Sequence, residues 1–256
     1  MKQGAYILPT TFTMFNLGLG FFAIIQSIRG DFPAAALAIV LGNLADMLDG
    51  VVARLTKTTS SFGLEFDSFA DLVTFGMAPA ILMYQYSLYN LGKWGFVFAL
   101  FYVLCGAFRL AKYNIRASQT DPDTDESNGN FIGLPIPGAA GILAAIVLVA
   151  TMPEVRKGIP VVMKIVPLMI HIIPMVMFLL SWLMISRIPF VSSKKMKLFR
   201  PRSMRTVVIW VLGCLLMYLY PQNLTFILYM TYIIWGITTY LWRSYRLRRK
   251  SHAITK

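Results

Sequence analysis

Residues 46–71 read DMLDGVVARLTKTTSSFGLEFDSFAD and concentrate negative charge within a hydrophobic chain. Five of the chain's eleven acidic residues lie in this window: Asp46, Asp49, Glu65, Asp67 and Asp71. On either side the sequence is apolar over lengths that suit a lipid bilayer. Ionisable residues at membrane depth are costly and usually serve a function, so we expect chemistry at this window.

The composition indicates an integral membrane protein. Of the 256 residues, 57% are hydrophobic and 14% are charged, and the mean hydropathy is +0.64, whereas soluble domains carry about a quarter charged residues. Apolar stretches that can cross about 30 Å of hydrocarbon predict an all-α fold with about eight transmembrane helices. The predicted spans are 11–28, 33–53, 66–89, 94–114, 136–152, 161–186, 206–220 and 223–242. We expect a single membrane-embedded domain over residues 1–256, ending in a basic tail at 243–256.

The basic residues predict the orientation of these spans. With the N-terminus inside, nineteen of the twenty-four Lys and Arg residues flank the inner side, so the positive-inside rule places both termini and residues 46–71 at the cytoplasmic face of the cell (inner) membrane. The start carries no pattern of a cleavable signal. The net charge of +13 is accounted for by membrane-flanking positions that attract anionic headgroups, so no nucleic-acid partner is expected.

Other titratable and sulfur-containing residues favour structural roles. The acidic loop at 115–135 lacks the spacing of a calcium-binding loop and is expected to be solvated. Cys105 and Cys214 lie within predicted spans without metal or redox spacing, so both are expected to be core residues. His171 is expected to be a satisfied residue within the helix bundle.

The spacing of the aspartates predicts two converging helix faces. Asp46 and Asp49 are i, i+3 neighbours near the end of the second span, and Asp67 and Asp71 are i, i+4 neighbours near the start of the third. Each pair therefore shares one face of its helix. The linker that contains Thr58, Thr59, Ser60, Ser61 and Gly63 would allow the chain to turn back.

Four carboxylates brought together would repel one another and lose solvation, so they need protons or cations. Arg54 supplies one positive charge, which is insufficient. Because the cluster contains neither His nor Cys, Mg²⁺ or Mn²⁺ is favoured over zinc. Two metal ions about 4 Å apart are the usual arrangement for transferring phosphoryl groups.

The motif Asp46-x2-Asp49-Gly50-x2-Ala53-Arg54-x8-Gly63-x3-Asp67-x3-Asp71 resembles the signature of the CDP-alcohol phosphotransferase family, with every fixed position filled. The resemblance implies a membrane-embedded enzyme with a six-helix core, often homodimeric, that uses divalent cations. Such an enzyme displaces CMP from a CDP-linked lipid or alcohol through an acceptor hydroxyl.

The resemblance also implies roles for individual residues. Asp46, Asp49, Asp67 and Asp71 would bind the metal ions, and Asp71 would also be the general base. The nucleotide and its diphosphate would be held at Asp49, Gly50, Ala53, Arg54 and Gly63. Glu65 lies outside the signature and receives no role.

Further segments are similar to the phosphatidylserine synthase branch of that family. They are LPTTFTMFNLGLGFFAI (8–24), FDSFADLVTFGMAPA (66–80), AFRLAKYN (107–114), GLPIPGAAG (133–141), and SRIPF (186–190) followed by KKMKL (194–198). Thr10 departs from the Asn that many relatives have there. The additional helices at 206–242 suit the same branch, which implies CDP-diacylglycerol and L-serine as substrates.

Serine carries a carboxylate and an ammonium group, so its pocket should offer a cation and some hydrogen-bond acceptors. Arg109 and Lys112, at i and i+3 near the cytoplasmic end of the fourth span, are candidates, although basic residues at inner helix ends also serve topology. Two alternatives stay open: another acceptor, such as glycerol 3-phosphate or inositol phosphate, and a cation transporter that uses the carboxylates as an ion path.

Overall fold

The computed structural model describes residues 7–56, 61–119, 130–151, 160–186 and 189–191, together with residues 231, 235 and 238. The helices are α1 (Ile7–Arg29), α2 (Phe32–Thr56), α3 (Ser61–Asp71), α4 (Ala78–Tyr86), α5 (Lys93–Gln119), α6 (Ile136–Thr151) and α7 (Pro160–Ile185). A π-helical segment, Leu72–Met77, joins α3 to α4, and a 3-10 turn, Leu88–Leu91, precedes α5. The strands β1 (Asn130–Ile132) and β2 (Pro189–Val191) form an antiparallel pair.

The helical membrane fold predicted from the composition is confirmed in its main features. Among the described residues, four helical segments are long and apolar enough to cross a membrane: Thr11–Arg29, Phe32–Gly50, Phe62–Tyr86 and Lys93–Ile115. Ile136–Thr151 and Ile172–Ile185 are shorter apolar helices. The predicted spans at 206–220 and 223–242 lie outside the described residues, apart from Thr231, Trp235 and Thr238.

A tight turn folds α2 back against α1. Gly30 ends α1 with a φ of 82°, a left-handed conformation that suits glycine. Asp31 follows, and its Oδ1 accepts a hydrogen bond of 3.2 Å from the backbone N–H of Ala34, which caps the start of α2. The turn lies at the end of the hairpin opposite to Asp46 and Asp49, so these aspartates lie near the start of α1.

The core of the bundle is built around α6. Its buried residues run from Ile136 to Val149, and it contacts α2, α4, the π-helical segment and α7. The first half, IPGAAG, is rich in small residues, which allow neighbouring helices to approach closely. Cys105, on α5, is buried in the same core, as its position within an apolar span predicted.

Close packing at two glycines positions the π-helical segment. A Cβ on Gly20 of α1 would overlap Thr74 Oγ1 and lie 2.7 Å from Thr74 Cα, while a Cβ on Gly42 of α2 would lie 2.6 Å from Thr74 Cγ2. The Thr74 hydroxyl donates a hydrogen bond of 2.9 Å to the carbonyl of Asn16. Thr74 is therefore wedged between α1 and α2, three residues after Asp71.

A second contact supplies a hydrogen-bond donor to a backbone carbonyl of the π-helical segment. The buried Tyr102 hydroxyl, on α5, donates a hydrogen bond of 3.1 Å to the carbonyl of Phe75. A π-helical turn displaces the regular hydrogen-bond ladder, so side-chain donors that reach its carbonyls stabilise it inside the membrane. Asp71 thus precedes a segment that α1, α2 and α5 hold on three sides.

Two local sequence predictions are wrong. Regular secondary structure occupies both ends of the loop expected at 115–135: α5 continues to Gln119, and residues 130–132 pair with 189–191. Gly133 has a φ of 89° and leads into Leu134, whose N–H donates to the Leu183 carbonyl at 3.0 Å. Ser61 and Gly63, expected in the linker between the second and third spans, lie in the first turn of α3.

The packing at Thr74 predicts different effects of two alanine substitutions on α1. Gly20→Ala should destabilise the protein by about 1–3 kcal/mol, because the methyl group would collide with the Thr74 backbone. Gly18→Ala is the matched control, since its Cβ meets no described atom within 4 Å. The melting temperatures of the two variants in detergent measure the difference. Equal melting temperatures would contradict the close approach of α1 to the π-helical segment.

Candidate functional site

The C-terminal halves of α2 and α3 bring three carboxylates together. Asp46, Asp67 and Asp71 each offer an oxygen atom, and the three oxygens lie within 4.8 Å of one another. Asp46 and Asp67 are half-buried, and Asp71 is buried at the end of α3. The two helix faces expected to converge do meet here, and Asp46, Asp49, Asp67 and Asp71 are together named the aspartate site below.

Asp49 lies beside this group of three and is held separately. Its Oδ2 accepts a hydrogen bond of 2.6 Å from the Thr13 hydroxyl of α1. The Asp49 side chain is buried, and its Oδ1 has no hydrogen-bond partner among the described residues. A buried carboxylate oxygen in this state is costly unless a ligand satisfies it. Asp49 therefore presents an oriented oxygen to the same region.

Asp71 is positioned from α1 and from α5. The Asn16 amide Nδ2 donates to Asp71 Oδ1 at 3.4 Å, and Arg109 interacts electrostatically with Asp71. Asp71 also experiences repulsion from Asp46 and Asp67. Among the described side chains, the half-buried Arg109 is the cation that acts on Asp71, so these side chains leave most of the negative charge of the cluster uncompensated.

Thr13 and Asn16 are site residues that the signature does not contain. They belong to a regular stripe on the buried face of α1, which consists of Thr13, Asn16, Gly20, Ala23 and Ser27. Polar or small residues repeated at i+3 and i+4 in an apolar helix mark a face that packs against protein. This pattern is the signal from which Thr13 and Asn16 could have been found.

The aspartate site fits a divalent cation. Its donors are carboxylate oxygens, which hard cations such as Mg²⁺ and Mn²⁺ prefer. Mutual repulsion acts between Asp46 and Asp67 and between Asp67 and Asp49. The unsatisfied oxygen of Asp49 adds a further potential ligand. Cations at this position would offset both the repulsion and the desolvation of the cluster.

The remaining predicted binding residues are distributed around this centre. Gly50 is exposed, and a Cβ built there would meet no described atom within 4 Å, so the space above it is open. Ala53 and Arg54 lie in α2, but their side chains are outside the part of the chain that the structure describes. Arg109 is half-buried and faces Asp71, whereas Lys112 is exposed.

A cleft of about 140 Å³ lies between α3 and α5, on a different face of α3 from the one that carries Asp67 and Asp71. It is lined by Glu65, Ser68, Phe69, Leu72, Ala107, Leu110, Ala111 and Asn114 and is named the α3–α5 cleft. The Asn114 amide Nδ2 donates to Ser68 Oγ at 2.9 Å and to Glu65 Oε2 at 3.3 Å. Glu65, to which the sequence assigned no role, therefore contributes a carboxylate to a small, mainly apolar cleft.

Comparison with known proteins identifies related chains. A model of the CDP-alcohol phosphatidyltransferase family matches residues 6–179. A protein of Helicobacter pylori named CDP-diacylglycerol–serine O-phosphatidyltransferase is 33% identical over 236 residues, which cover 92% of each chain. A Bacillus subtilis protein of the same name is 36% identical over 73% of this chain and 92% of its own. An archaetidylserine synthase of Methanothermobacter thermautotrophicus is 35% identical over 58% of this chain and 60% of its own.

A thermal-shift experiment tests cation binding at the aspartate site. In chelator, Asp67→Asn should be at least as stable as the unsubstituted protein, because one repelling charge is removed. With Mn²⁺ at a hundred times its dissociation constant, the unsubstituted protein should gain about 2.7 kcal/mol, and Asp67→Asn much less. Asp31→Asn, at the opposite end of the α1–α2 hairpin, should keep the full Mn²⁺ effect. An equal Mn²⁺ effect in Asp67→Asn would exclude Asp67 as a ligand.

Proposed function

The chain belongs to the CDP-alcohol phosphatidyltransferase family, and we propose that it transfers the phosphatidyl group of CDP-diacylglycerol to the hydroxyl of L-serine. The products are phosphatidylserine and CMP. The observation that carries this proposal is the meeting of Asp46, Asp67 and Asp71 within 4.8 Å, in a chain whose relatives over nearly its whole length are named for a serine acceptor. This activity places the protein in phospholipid biosynthesis.

The aspartate site would hold two divalent cations, Mg²⁺ or Mn²⁺. Asp46, Asp67 and Asp71 provide neighbouring oxygens, and Thr13 fixes Asp49 so that its other oxygen faces the cluster region without a described partner. When bound, the cations would offset the charge of the diphosphate and of the departing CMP.

The nucleotide would lie next to the cations along α2 and the start of α3. Asp49, Gly50, Ala53, Arg54 and Gly63 are the residues assigned to it. The open space above Gly50 supports this assignment, because a flat ligand can approach the helix backbone there. Arg54 follows Gly50 by one helical turn and would pair with the diphosphate.

Asp71 would act as the general base. An alcohol is a poor nucleophile at neutral pH, so a positioned base is needed to accept its proton. The serine oxygen would bond to the lipid-side phosphorus while the bond from that phosphorus to the bridging oxygen breaks, and CMP leaves with the bonding electrons. Asn16 orients Asp71 through the hydrogen bond of 3.4 Å, and Thr74 anchors the adjoining π-helical segment.

Arg109 and Lys112 are the residues proposed to bind the carboxylate of serine. Arg109 has the stronger support, because it is half-buried and interacts with Asp71, whose proposed role places it beside the reacting hydroxyl. Lys112 is exposed on the same helix and could contribute at longer range. A cation between the base and the acceptor's carboxylate would orient the hydroxyl towards Asp71.

The exposed surface of the helices indicates how the protein and its substrate would lie in the membrane. Exposed aromatic side chains such as Phe15, Phe21, Trp94 and Phe108 support contact with lipid. The acyl chains of the substrate would lie among the helices, with the diphosphate at the cytoplasmic face of the cell membrane and both termini in the cytoplasm. We propose a single domain over residues 1–256 that assembles as a homodimer. Its partners would include membrane lipids but no nucleic acid.

The alternatives receive less support from the site. A phosphorylated acceptor such as glycerol 3-phosphate or inositol phosphate needs several converging cations, whereas the described cations on α5 beside the site are Arg109 and Lys112. A cation transporter should carry acidic residues across the membrane depth. Here the four aspartates gather at one end of α2 and α3.

Release of CMP tests the proposed reaction. Purified protein with CDP-diacylglycerol and Mn²⁺ should release CMP when L-serine is added and much less with glycerol 3-phosphate or inositol phosphate. Asp71→Asn should lower the turnover number by about 10²–10⁴-fold, because general-base catalysis is lost. Asp31→Asn is the control for the loss of one negative charge and should retain turnover. Excess chelator should abolish release.

Three outcomes would contradict parts of the proposal. Normal turnover of Asp71→Asn would exclude Asp71 as the base, and full activity in chelator would exclude the metal requirement. CMP release that depends on a phosphorylated acceptor and not on serine would exclude serine as the acceptor.

A further inference from the structure

We propose that Glu65 binds the ammonium group of the amino-acid acceptor in the α3–α5 cleft and thereby selects an amino alcohol over uncharged or phosphorylated alcohols. This inference rests on the proposed function, because it assigns a pocket to the serine of that reaction. It gives Glu65 a role in specificity that is separate from the aspartate site.

The α3–α5 cleft has the size and the position for a small polar molecule. Its volume of about 140 Å³ exceeds the space that a single water needs. Two of its lining residues flank the proposed base in sequence: Ser68 lies one turn before Asp71, and Leu72 directly follows it. A molecule in the cleft would therefore lie along the helix that carries Asp71.

Glu65 is held in an orientation that leaves it able to bind a cation. Its Oε2 accepts a hydrogen bond of 3.3 Å from the Asn114 amide, which in turn contacts Ser68 Oγ at 2.9 Å. Within the described ranges, the structure records no further partner for the Glu65 carboxylate. The side chain is exposed at the cleft. Asn114 is thus a positioning residue that links α5 to Glu65, and the second carboxylate oxygen remains available.

Charge complementarity makes an ammonium group the best match for this carboxylate. The four aspartates are assigned to metal ions, and bound metal ions would repel an ammonium group placed among them. Glu65 is the one acidic residue of 46–71 outside that set, and it lines a different side of α3. The floor of the cleft at Ala107, Leu110 and Ala111 carries no charge.

The assignment also completes the contacts of a zwitterion. Arg109 interacts electrostatically with Asp71 and is proposed for the acceptor's carboxylate, whereas Glu65, in the α3–α5 cleft, would take the ammonium group. Glycerol 3-phosphate and inositol phosphate carry no ammonium group, so neither could pair with Glu65. A carboxylate at this position attracts a cationic acceptor and repels a phosphorylated one, so it favours an amino alcohol over both analogues.

The test compares Glu65→Gln, Glu65→Asp and the control Asp31→Asn with the unsubstituted protein in the CMP-release assay. Losing a charge-assisted contact should raise the KM for L-serine by about ten- to hundredfold in Glu65→Gln. The KM for CDP-diacylglycerol and turnover at saturating serine should stay nearly unchanged. Glu65→Asp keeps the charge on a shorter side chain and should give an intermediate KM for serine, while Asp31→Asn should leave it unchanged.

A second acceptor, glycerate, distinguishes binding of the ammonium group by Glu65 from a purely structural role of Glu65. A structural role would not change the preference of the enzyme for serine over glycerate. Glycerate has a hydroxyl where serine has its ammonium group, so the preference for serine over glycerate should fall in Glu65→Gln because the discriminating charge is gone. An unchanged KM for serine and an unchanged preference would overturn the assignment of Glu65. If Glu65→Gln fails to fold, Glu65→Asp decides, and a serine KM equal to that of the unsubstituted protein would overturn the inference.

The two proposals fail in different ways. Absence of serine-dependent CMP release from the unsubstituted protein would overturn the proposed function itself. Serine-dependent release that is insensitive to the charge at position 65 would leave the proposed function intact and overturn only the inference about Glu65.

Discussion

Repulsion among closely spaced carboxylates is the constraint on which the rest of this structure depends. Asp46, Asp67 and Asp71 place oxygen atoms within 4.8 Å of one another, at a depth where charge is poorly solvated. The bundle does not neutralise them from within its described part, since Arg109 is the cation that acts on Asp71 there. The fold instead maintains a site whose charge the proposed divalent cations and diphosphate would balance.

Close packing and hydrogen bonds fix the position of the segment that follows Asp71. Gly20 and Gly42 let the π-helical segment approach α1 and α2, and Thr74 ties it to the carbonyl of Asn16. Asn16 also donates to Asp71, so one residue of α1 positions both the proposed base and the backbone that follows it. Irregular helical turns are often found at functional sites, and this one is satisfied by side chains from two helices.

The sequence predicted the meeting of the aspartates, because residue spacing along single helices reveals it. The i, i+3 and i, i+4 spacing of the aspartates predicted two helix faces. For the six predicted spans within the described residues, apolar length predicted helices that the structure places within a few residues of the expected positions. Contacts between residues far apart in the sequence could not be predicted in this way. Thr13 meets Asp49 across 36 positions and Asn16 meets Asp71 across 55, and nothing local specifies such a pairing. The π-helical segment and the β1–β2 pair likewise depend on tertiary packing, as does the cleft that gives Glu65 a setting.

The position of the metal ions tests the central claim most directly. Crystals grown with Mn²⁺ and a CDP-linked lipid, measured at the manganese absorption edge, would locate the ions by anomalous scattering. The account predicts manganese coordinated by carboxylate oxygens of Asp46, Asp67 and Asp71, with Asp49 completing the set and the diphosphate bound to the same ions. Manganese bound elsewhere, with the aspartate site free of metal in a crystal that turns over its substrates, would contradict it.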